Sequence, residues 1–177
     1  MIDYTKEELV ELLGKHPEKY NEWKAEQDEI DLSEVDFSGL TLREVDFSNA
    51  DLNSSSFADC SLALVNFTGA DLNSVDFTRS RVLECDFSES IMTGADCSYA
   101  EITYCNFTDC DLAGCIFSET DLSNSDFTAS YNLHASRYDE DTVWPDDELL
   151  PEDFDVTTHN DLSSLQDEED SSSYSDY

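Results

Sequence analysis

The sequence predicts an all-β protein folded as a four-sided β-helix, with a helical cap at its N-terminus and an acidic tail at its C-terminus. Three observations lead to this prediction. Residues 30–129 consist of twenty consecutive five-residue repeats. The third residue of each repeat is apolar, and phenylalanine alternates there with aliphatic residues. The 177 residues include 43 Asp or Glu and 8 Lys or Arg, so the net charge is −35.

The repeat length sets the shape of the fold. A period of five matches neither the 3.6 residues of an α-helical turn nor the two-residue period of a strand. The first and third positions are core-like, and residues two apart in extended chain point the same way. The chain must therefore turn after each repeat, and four turns close a square coil of twenty residues. About five coils, stacked at the ~4.8 Å spacing of paired strands, form a rod of ~24 Å.

The third positions form inward columns of two kinds. Identical positions recur every twenty residues, so phenylalanine falls on two opposite sides and aliphatic residues on the other two. Each inward side chain then stacks on its own kind in the next coil. Cys97 alone interrupts the phenylalanine series. Its members are Phe37, Phe47, Phe57, Phe67, Phe77, Phe87, Phe107, Phe117 and Phe127.

Several repeats lie close to a known motif. Residues 50–52 and 70–72 read Ala-Asp-Leu, and residues 110–112 read Cys-Asp-Leu. These repeats resemble the motif A(D/N)Lxx of the pentapeptide-repeat family, over about residues 30–129. The resemblance implies a right-handed quadrilateral β-helix. It also implies a function, since the chain is similar to the quinolone-resistance pentapeptide proteins, which imitate DNA and engage DNA gyrase.

Two features depart from those proteins. The repeat array is uninterrupted, without the projecting loops that some of them use. An acidic tail stands where a dimer-forming helix would be expected. The target therefore stays open between a topoisomerase such as gyrase and a restriction or defence nuclease, and formation of a homodimer also stays open.

Residues 1–29 predict a helical cap. Thr5 and Glu8 have the spacing of a capping box, in which the two side chains satisfy the free amides at a helix start. Pro17 suits the first position of a second helix. A solenoid needs such a cap because its first coil has no neighbour to bury it. We expect the cap to cover the coil that begins at Ile30.

The repeat ends after Phe127. Tyr138 and Trp144 are expected to close the last coil within a C-terminal capping segment, residues 130–145. From residue 146 the composition is acidic and poor in apolar residues, which is typical of disordered chain. Residues 146–177 are therefore predicted to be an acidic low-complexity tail that can be removed with little effect on the rod. Its few apolar residues are candidates for short docking elements, namely Leu149, Leu150, Phe154, Leu162 and Leu165.

The net charge limits the partners. Phosphates repel a chain of net charge −35, so direct binding to nucleic acid or to an anionic membrane surface is excluded. No apolar run is long enough to span a bilayer. The N-terminus lacks a basic region followed by an apolar one, so no secretion signal is visible. The sequence therefore predicts a cytoplasmic protein.

The residue types of catalytic chemistry are not grouped. The three histidines lie outside the repeats, and there is neither a glycine-rich phosphate loop nor a CxxC pair. The sequence therefore predicts a protein that is not an enzyme and that has no metal or cofactor. The cysteines occupy inward positions and are interpreted as small core residues. They are Cys60, Cys85, Cys97, Cys105, Cys110 and Cys115.

The second position of each repeat is predicted to point outward, and 13 of the 20 residues there are Asp or Asn. These side chains are expected to bond to turn amides and to form columns of carboxylates on three sides of the rod. We predict that the columns imitate phosphates against Lys and Arg in the basic groove of a DNA-binding protein. The chief residues would be Asp51, Asp71, Asp76, Asp86 and Asp96.

The remaining side of the rod supports an alternative function. Its second positions include Thr41, Ser61 and Arg81, so it is less acidic. Three apolar side chains on one side of a polar rod suggest a contact, either with the tail or with a partner protein. A contact of this kind would suit a structural or protein–protein interaction scaffold without DNA mimicry. The residues are Leu64, Leu83 and Tyr104.

Overall fold

The structure is a computed structural model that describes residues 4–157. Two helices precede a stack of short parallel strands and bridges. The helices are α1, Lys6–Lys15, and α2, Pro17–Lys24. The strands are β1, Thr41–Arg43; β2, Ser61–Ala63; β3, Arg81–Leu83; and β4, Glu101–Thr103, which pair in parallel in that order. Two 3-10 helices follow, Leu133–Ala135 and Asp147–Leu149.

Pairing at intervals of twenty residues confirms the predicted β-helix. Asp31 bridges Asp51, Asp51 bridges Asp71, and the other sides repeat this pattern. Right-handedness and the number of coils stay predictions. We number the four sides by their repeats. Face 1 has the repeats that begin at residues 30, 50, 70, 90 and 110; face 2 those at 35, 55, 75, 95 and 115; face 3 those at 40, 60, 80, 100 and 120; and face 4 those at 45, 65, 85, 105 and 125.

The inward columns are as predicted. On face 2 the rings of Phe37, Phe57 and Phe77 stack with centroids 4.7 and 5.3 Å apart, and the next position is the fully buried Cys97. On face 4 five rings stack without interruption at 4.6–5.5 Å. These separations are close to the ~4.8 Å distance between paired strands. All six cysteines are buried thiols.

Each repeat ends in a residue of left-handed conformation. Every fifth-position residue from Glu34 to Asn124 has φ between 52° and 74°, and only four of these nineteen residues are glycine. Residues with side chains rarely adopt this region, so their surroundings must hold them there. The fifth-position amide donates to a carbonyl one coil on, as Ser54 donates to Asn73 at 2.8 Å. The stacking of coils therefore fixes the turns.

Two helices cover the first coil, as predicted. The Thr5 hydroxyl accepts from the Glu8 amide at 3.2 Å, and the Glu8 carboxylate accepts from the Thr5 amide at 2.8 Å. Pro17 begins α2. Helix α1 packs against β1, and the buried ring of Tyr20 lies 5.5 Å from that of Phe47.

The four-sided path continues beyond the repeats. Tyr131, Arg137 and Val143 bridge residues on faces 1, 2 and 3, so the sides here are six residues long instead of five. The amide of Phe127 donates to the Leu149 carbonyl at 2.8 Å. Tyr138, Trp144 and Leu150 follow the pairing residues as a third position follows a second, and they pack inward. Their spacing of six residues places them outside the pattern of five.

Trp144 closes the C-terminal end, as predicted, with its ring 6.1 Å from that of Phe127. The prediction that the chain from residue 146 hardly contacts the rod is wrong for residues 146–157. Leu150 is buried, and the ring of Phe154 lies 4.9 Å from Trp144 and 5.9 Å from Tyr138. A few apolar residues in an acidic segment thus suffice to anchor it. The rest of the predicted tail, residues 158–177, lies outside the described residues.

Candidate protein-binding site

The outward acids are part of the turns. As predicted, the second-position carboxylate accepts a hydrogen bond from the fourth-position amide of its own repeat. Asp76 Oδ1 accepts from the Thr78 amide at 2.8 Å, and Asp96 Oδ1 accepts from the Ser98 amide at 2.9 Å. These bonds fix each carboxylate on the rod. A carboxylate has about four acceptor positions, so it can still accept donors from a partner.

The five predicted site acids lie on three faces. Asp51 and Asp71 are paired neighbours on face 1, and Asp76 and Asp96 are paired neighbours on face 2. Asp86 lies on face 4, opposite face 2. Asp51 is exposed and the other four are half-buried. The structure thus brings the acids together as two pairs and one separate residue.

Face 4 alternates carboxylate and amide side chains. Asn66 Nδ2 donates to Asp46 Oδ1 at 3.2 Å, and Asn106 Nδ2 donates to Asp86 Oδ1 at 3.1 Å. The amides separate carboxylates that would otherwise lie ~4.8 Å apart and repel one another. Each Asn also accepts from its own turn, as an Asp does: the Thr68 amide donates to Asn66 Oδ1 at 3.0 Å.

Arginine occurs on faces 2 and 3 of the rod. Arg43 and Arg81 lie on face 3, whereas Arg79 and Arg137 lie on face 2. Three of them pair with nearby carboxylates, and the guanidinium of Arg79 lowers the pKa of Asp59. The pairs are Arg43–Glu44 at 3.0 Å, Arg79–Asp59 at 3.0 Å and Arg81–Glu101 at 3.3 Å.

The N-terminal cap shows how a repeat binds lysine. Lys24 Nζ lies 3.0 Å from Asp46 Oδ2 and donates to Ser48 Oγ at 2.6 Å. Lys6 Nζ donates to Asp31 Oδ1 at 2.7 Å. This bond is the main cause that lowers the pKa of Asp31 to about 2. In both contacts a second-position carboxylate binds the ammonium group. In the repeat of Asp46, the hydroxyl of the fourth-position residue, Ser48, also accepts a hydrogen bond from it.

The three apolar residues predicted on face 3 lie in neighbouring coils, at or next to the ends of β2, β3 and β4. Leu64 and Tyr104 are 39 % and 59 % exposed, and both occupy fifth positions, with Glu84 between them. Leu83 is half-buried. The apolar residues of the segment 146–157 pack at the end of the rod, so this segment does not cover face 3.

Two features of this surface were not predicted from the sequence. The restriction of arginine to two faces follows from assigning every residue, and not only the second positions, to a face. The lysine contacts have no such signal, because no local pattern fixes where a helix lies against the rod. Within residues 4–157, no group of three or more His, Cys, Asp or Glu is arranged to hold a metal ion.

The repeats match the family model described as pentapeptide repeats. The match comprises eight copies over residues 30–69, 70–103 and 105–135, more than half of the chain. The chain belongs to the pentapeptide-repeat family. No curated protein matches its sequence significantly. No helix among residues 4–157 of this pentapeptide-repeat protein is long and apolar enough to cross a membrane.

Solved structures of other pentapeptide-repeat proteins are similar to the chain. Rfr23 from the cyanobacterium Cyanothece 51142 is 14 % identical, with 72 % of this chain and 99 % of that one covered and a TM-score of 0.43. Full-length QnrB1, a plasmid-mediated fluoroquinolone resistance protein, is 17 % identical. The match covers 62 % of this chain and 68 % of QnrB1, with a TM-score of 0.31. A pentapeptide-repeat protein of the Arabidopsis thaliana thylakoid lumen is 31 % identical. The match covers 56 % of this chain and 66 % of that protein, with a TM-score of 0.24.

Proposed function

We propose that this pentapeptide-repeat protein is a non-enzymatic, cytoplasmic DNA mimic. It binds the basic groove of a DNA-binding enzyme and inhibits or modulates that enzyme. The target class is a topoisomerase such as DNA gyrase, or a restriction or defence nuclease. The observation that carries the proposal is the charge per unit length of the rod.

The linear charge of the rod is close to that of DNA. Residues 30–129 contain 19 acidic and 3 basic residues, a net charge of −16. Five coils at ~4.8 Å span ~24 Å, which gives about one net negative charge per 1.5 Å of rod. Duplex DNA has one charge per ~1.7 Å of its axis. A groove with enough Lys and Arg to hold DNA therefore meets a similar charge on this protein.

Preorganised carboxylates strengthen this argument. The turn bonds of residues such as Asp51 and Asp86 hold the carboxylates in place before a partner arrives. Side chains that are already ordered lose little conformational freedom on binding. The rod covers the length of about seven base pairs at ~3.4 Å each, so the acidic C-terminal residues or a second copy would extend the contact.

A scaffold without DNA mimicry is the second candidate function. Face 3 supports it, because strands β1–β4 form a regular sheet there whose surface carries arginine, glutamate and the exposed Leu64 and Tyr104. A partner on this face would meet a mixed surface. Its affinity would depend little on salt, and DNA would not compete with it.

Binding to bacterial DNA gyrase and to a type II restriction endonuclease tests the proposal. DNA mimicry predicts an affinity that falls steeply between about 50 and 300 mM salt and is competed by duplex DNA. Replacing Asp51, Asp71 and Asp76 together by Asn should weaken binding. Asn is a matched replacement, because Asn66 makes the same turn bond. An affinity that ignores salt, DNA and the triple substitution would favour the scaffold.

A further inference from the structure

We infer that the rod presents one side to its partner: adjacent faces 1 and 4 form a lysine-recognition surface, and faces 2 and 3 point away from the groove. Of the five acids predicted from the sequence, this surface contains Asp51, Asp71 and Asp86 and excludes Asp76 and Asp96. The inference rests on the proposed function and names the surface that performs it. Two independent observations support it, namely the distribution of charge and the contacts of the cap lysines.

Charge distinguishes the two sides of the rod. Among residues 30–129, faces 1 and 4 carry ten acidic residues and no Lys or Arg, whereas faces 2 and 3 carry nine acidic residues and all three arginines. A basic groove against faces 2 or 3 would bring its own cations close to these arginines. Like charges brought together at an interface oppose binding, so a basic groove favours the arginine-free side.

The lysine contacts of the cap occur on the same side. Lys6 binds Asp31 of face 1, and Lys24 binds Asp46 of face 4. The Lys24 side chain is only 13 % exposed, so its ammonium group depends on the rod for much of its solvation. The protein therefore already contains one lysine-binding repeat on each of the two faces.

The repeat at Asp86 reproduces the lysine-binding repeat at Asp46. Both read Asp-Phe-Ser. Asp46 Oδ1 accepts from the Ser48 amide at 2.9 Å, and Asp86 Oδ1 accepts from the Ser88 amide at 3.0 Å. In both repeats the same oxygen also accepts from an Asn one coil further on. By analogy with Lys24, Asp86 Oδ2 and the Ser88 hydroxyl are the groups that would bind a partner lysine.

Stacking gives the surface a defined spacing. On face 4, Asp86 and Asp126 lie two coils apart, about 10 Å, and on face 1, Asp51 and Asp71 lie one coil apart, about 5 Å. Ile91 interrupts the face 1 column beyond Asp71. A groove with lysines at these two intervals is the partner that fits.

Two triple variants with equal loss of charge test which side binds. One carries Asp51→Asn, Asp71→Asn and Asp86→Asn on faces 1 and 4. The other carries Asp36→Asn, Glu119→Gln and Asp121→Asn on faces 2 and 3. The probe is a fluorescent decalysine peptide at low salt. Loss of three exposed ion pairs on the binding side should weaken its affinity about tenfold, whereas the control variant should change it less than about threefold.

Equal losses of decalysine affinity in the two variants, or a larger loss in the second, would overturn the inference. The proposed function would be unaffected, because it depends on binding to an enzyme in competition with DNA. Conversely, failure of both enzymes to bind would refute the proposed function and leave the decalysine result valid.

Carbodiimide coupling of decalysine, mapped by mass spectrometry, is a second readout. We expect coupling at Asp51 and Asp86, and coupling mainly at Asp76 and Asp96 would contradict the inference. Thermal unfolding verifies that both variants fold.

Discussion

The two ends of the rod are closed by different means. At the N-terminal end, side chains of α2 replace a missing coil. The Asn21 side chain donates to the Glu44 carbonyl at 2.8 Å and accepts from the Asp46 amide at 3.0 Å. Tyr20 covers the ring of Phe47. One side-chain amide thus performs the task of a neighbouring strand.

At the C-terminal end, the chain itself continues the pairing. Val143 bridges face 3, and the Leu149 carbonyl accepts from the amide of Phe127. The rings of Trp144 and Phe154 then cover the apolar interior. Here backbone satisfies backbone, and aromatic rings replace the next coil.

The difference shows that an open coil has two separate requirements. Its unpaired amides and carbonyls need partners, and its apolar layer needs cover. The N-terminal end meets the first requirement with a few polar side chains, whereas the C-terminal end commits a longer segment to both. We therefore expect changes at the C-terminal end to reduce stability more than changes at the N-terminal end.

Shortening the chain to end at Pro145 should have the largest effect. It removes the buried Leu150, the ring of Phe154 and the carbonyl that pairs with Phe127. Burial of one large apolar side chain is worth about 1.5–3 kcal/mol, so the free energy of unfolding should fall by about 3–5 kcal/mol. Urea unfolding measures it. A chain ending at Thr157 is the control, because it keeps every contact described here, and equal stability of the two chains would contradict the prediction.

Trp144→Ala should have the next largest effect. The ring is half-buried. Its centroid lies 4.9–6.1 Å from the ring centroids of Phe117, Phe127, Tyr138 and Phe154. Its loss leaves the last apolar layer open to water and should cost about 3 kcal/mol. The shift in the urea midpoint at constant m-value tests this. Trp144→Phe should recover most of the stability, and a cost below about 1 kcal/mol for the Ala variant would show that the rings do not close the rod.

Asn21→Ala should have a smaller effect at the other end. It leaves the Glu44 carbonyl and the Asp46 amide without their side-chain partner, which costs about 1–3 kcal/mol when such groups are shielded from water. Thermal unfolding of this variant should be compared with that of Lys19→Ala, an exposed change on the same helix. If the two variants melt alike, Asn21 does not substitute for a strand.

The repeat region was predictable because its pattern is local and repeated. Third-position apolar residues identify the interior, and the period of five residues identifies the square coil. The fifth positions show the limit of this reasoning. Residues such as Glu84 and Arg79 adopt the left-handed region, yet nothing in their chemistry indicates it, since glycine is the usual signal. Their conformation results from hydrogen bonds between coils.

The ends were less predictable because single residues act there without repetition. Composition alone marks residues 146–157 as acidic tail, although Leu150 and Phe154 anchor them. The lysine contacts also depend on how α1 and α2 lie across the first coil. The acids of the candidate site were identified from the motif, but their division between two sides of the rod became visible only when every charged residue was assigned to a face.

Lowering the pH should destabilise the N-terminal end, and this effect should be smaller than those of the three changes above. The hydrogen bond from Lys6 lowers the pKa of Asp31 to about 2, below the ~3.9 of an unfolded chain. A lowered folded-state pKa stabilises the fold above the unfolded value, and this contribution is lost as pH falls from about 4 to about 2. The pair is exposed, so its loss should cost less than about 1 kcal/mol.

NMR titration of the Asp31 carboxyl carbon tests the assignment. In Lys6→Met the midpoint should rise but stay below the ordinary value, because Ser33 still donates to Asp31 Oδ1 at 2.9 Å through its amide. An unchanged midpoint would show that Lys6 does not hold the cap to face 1.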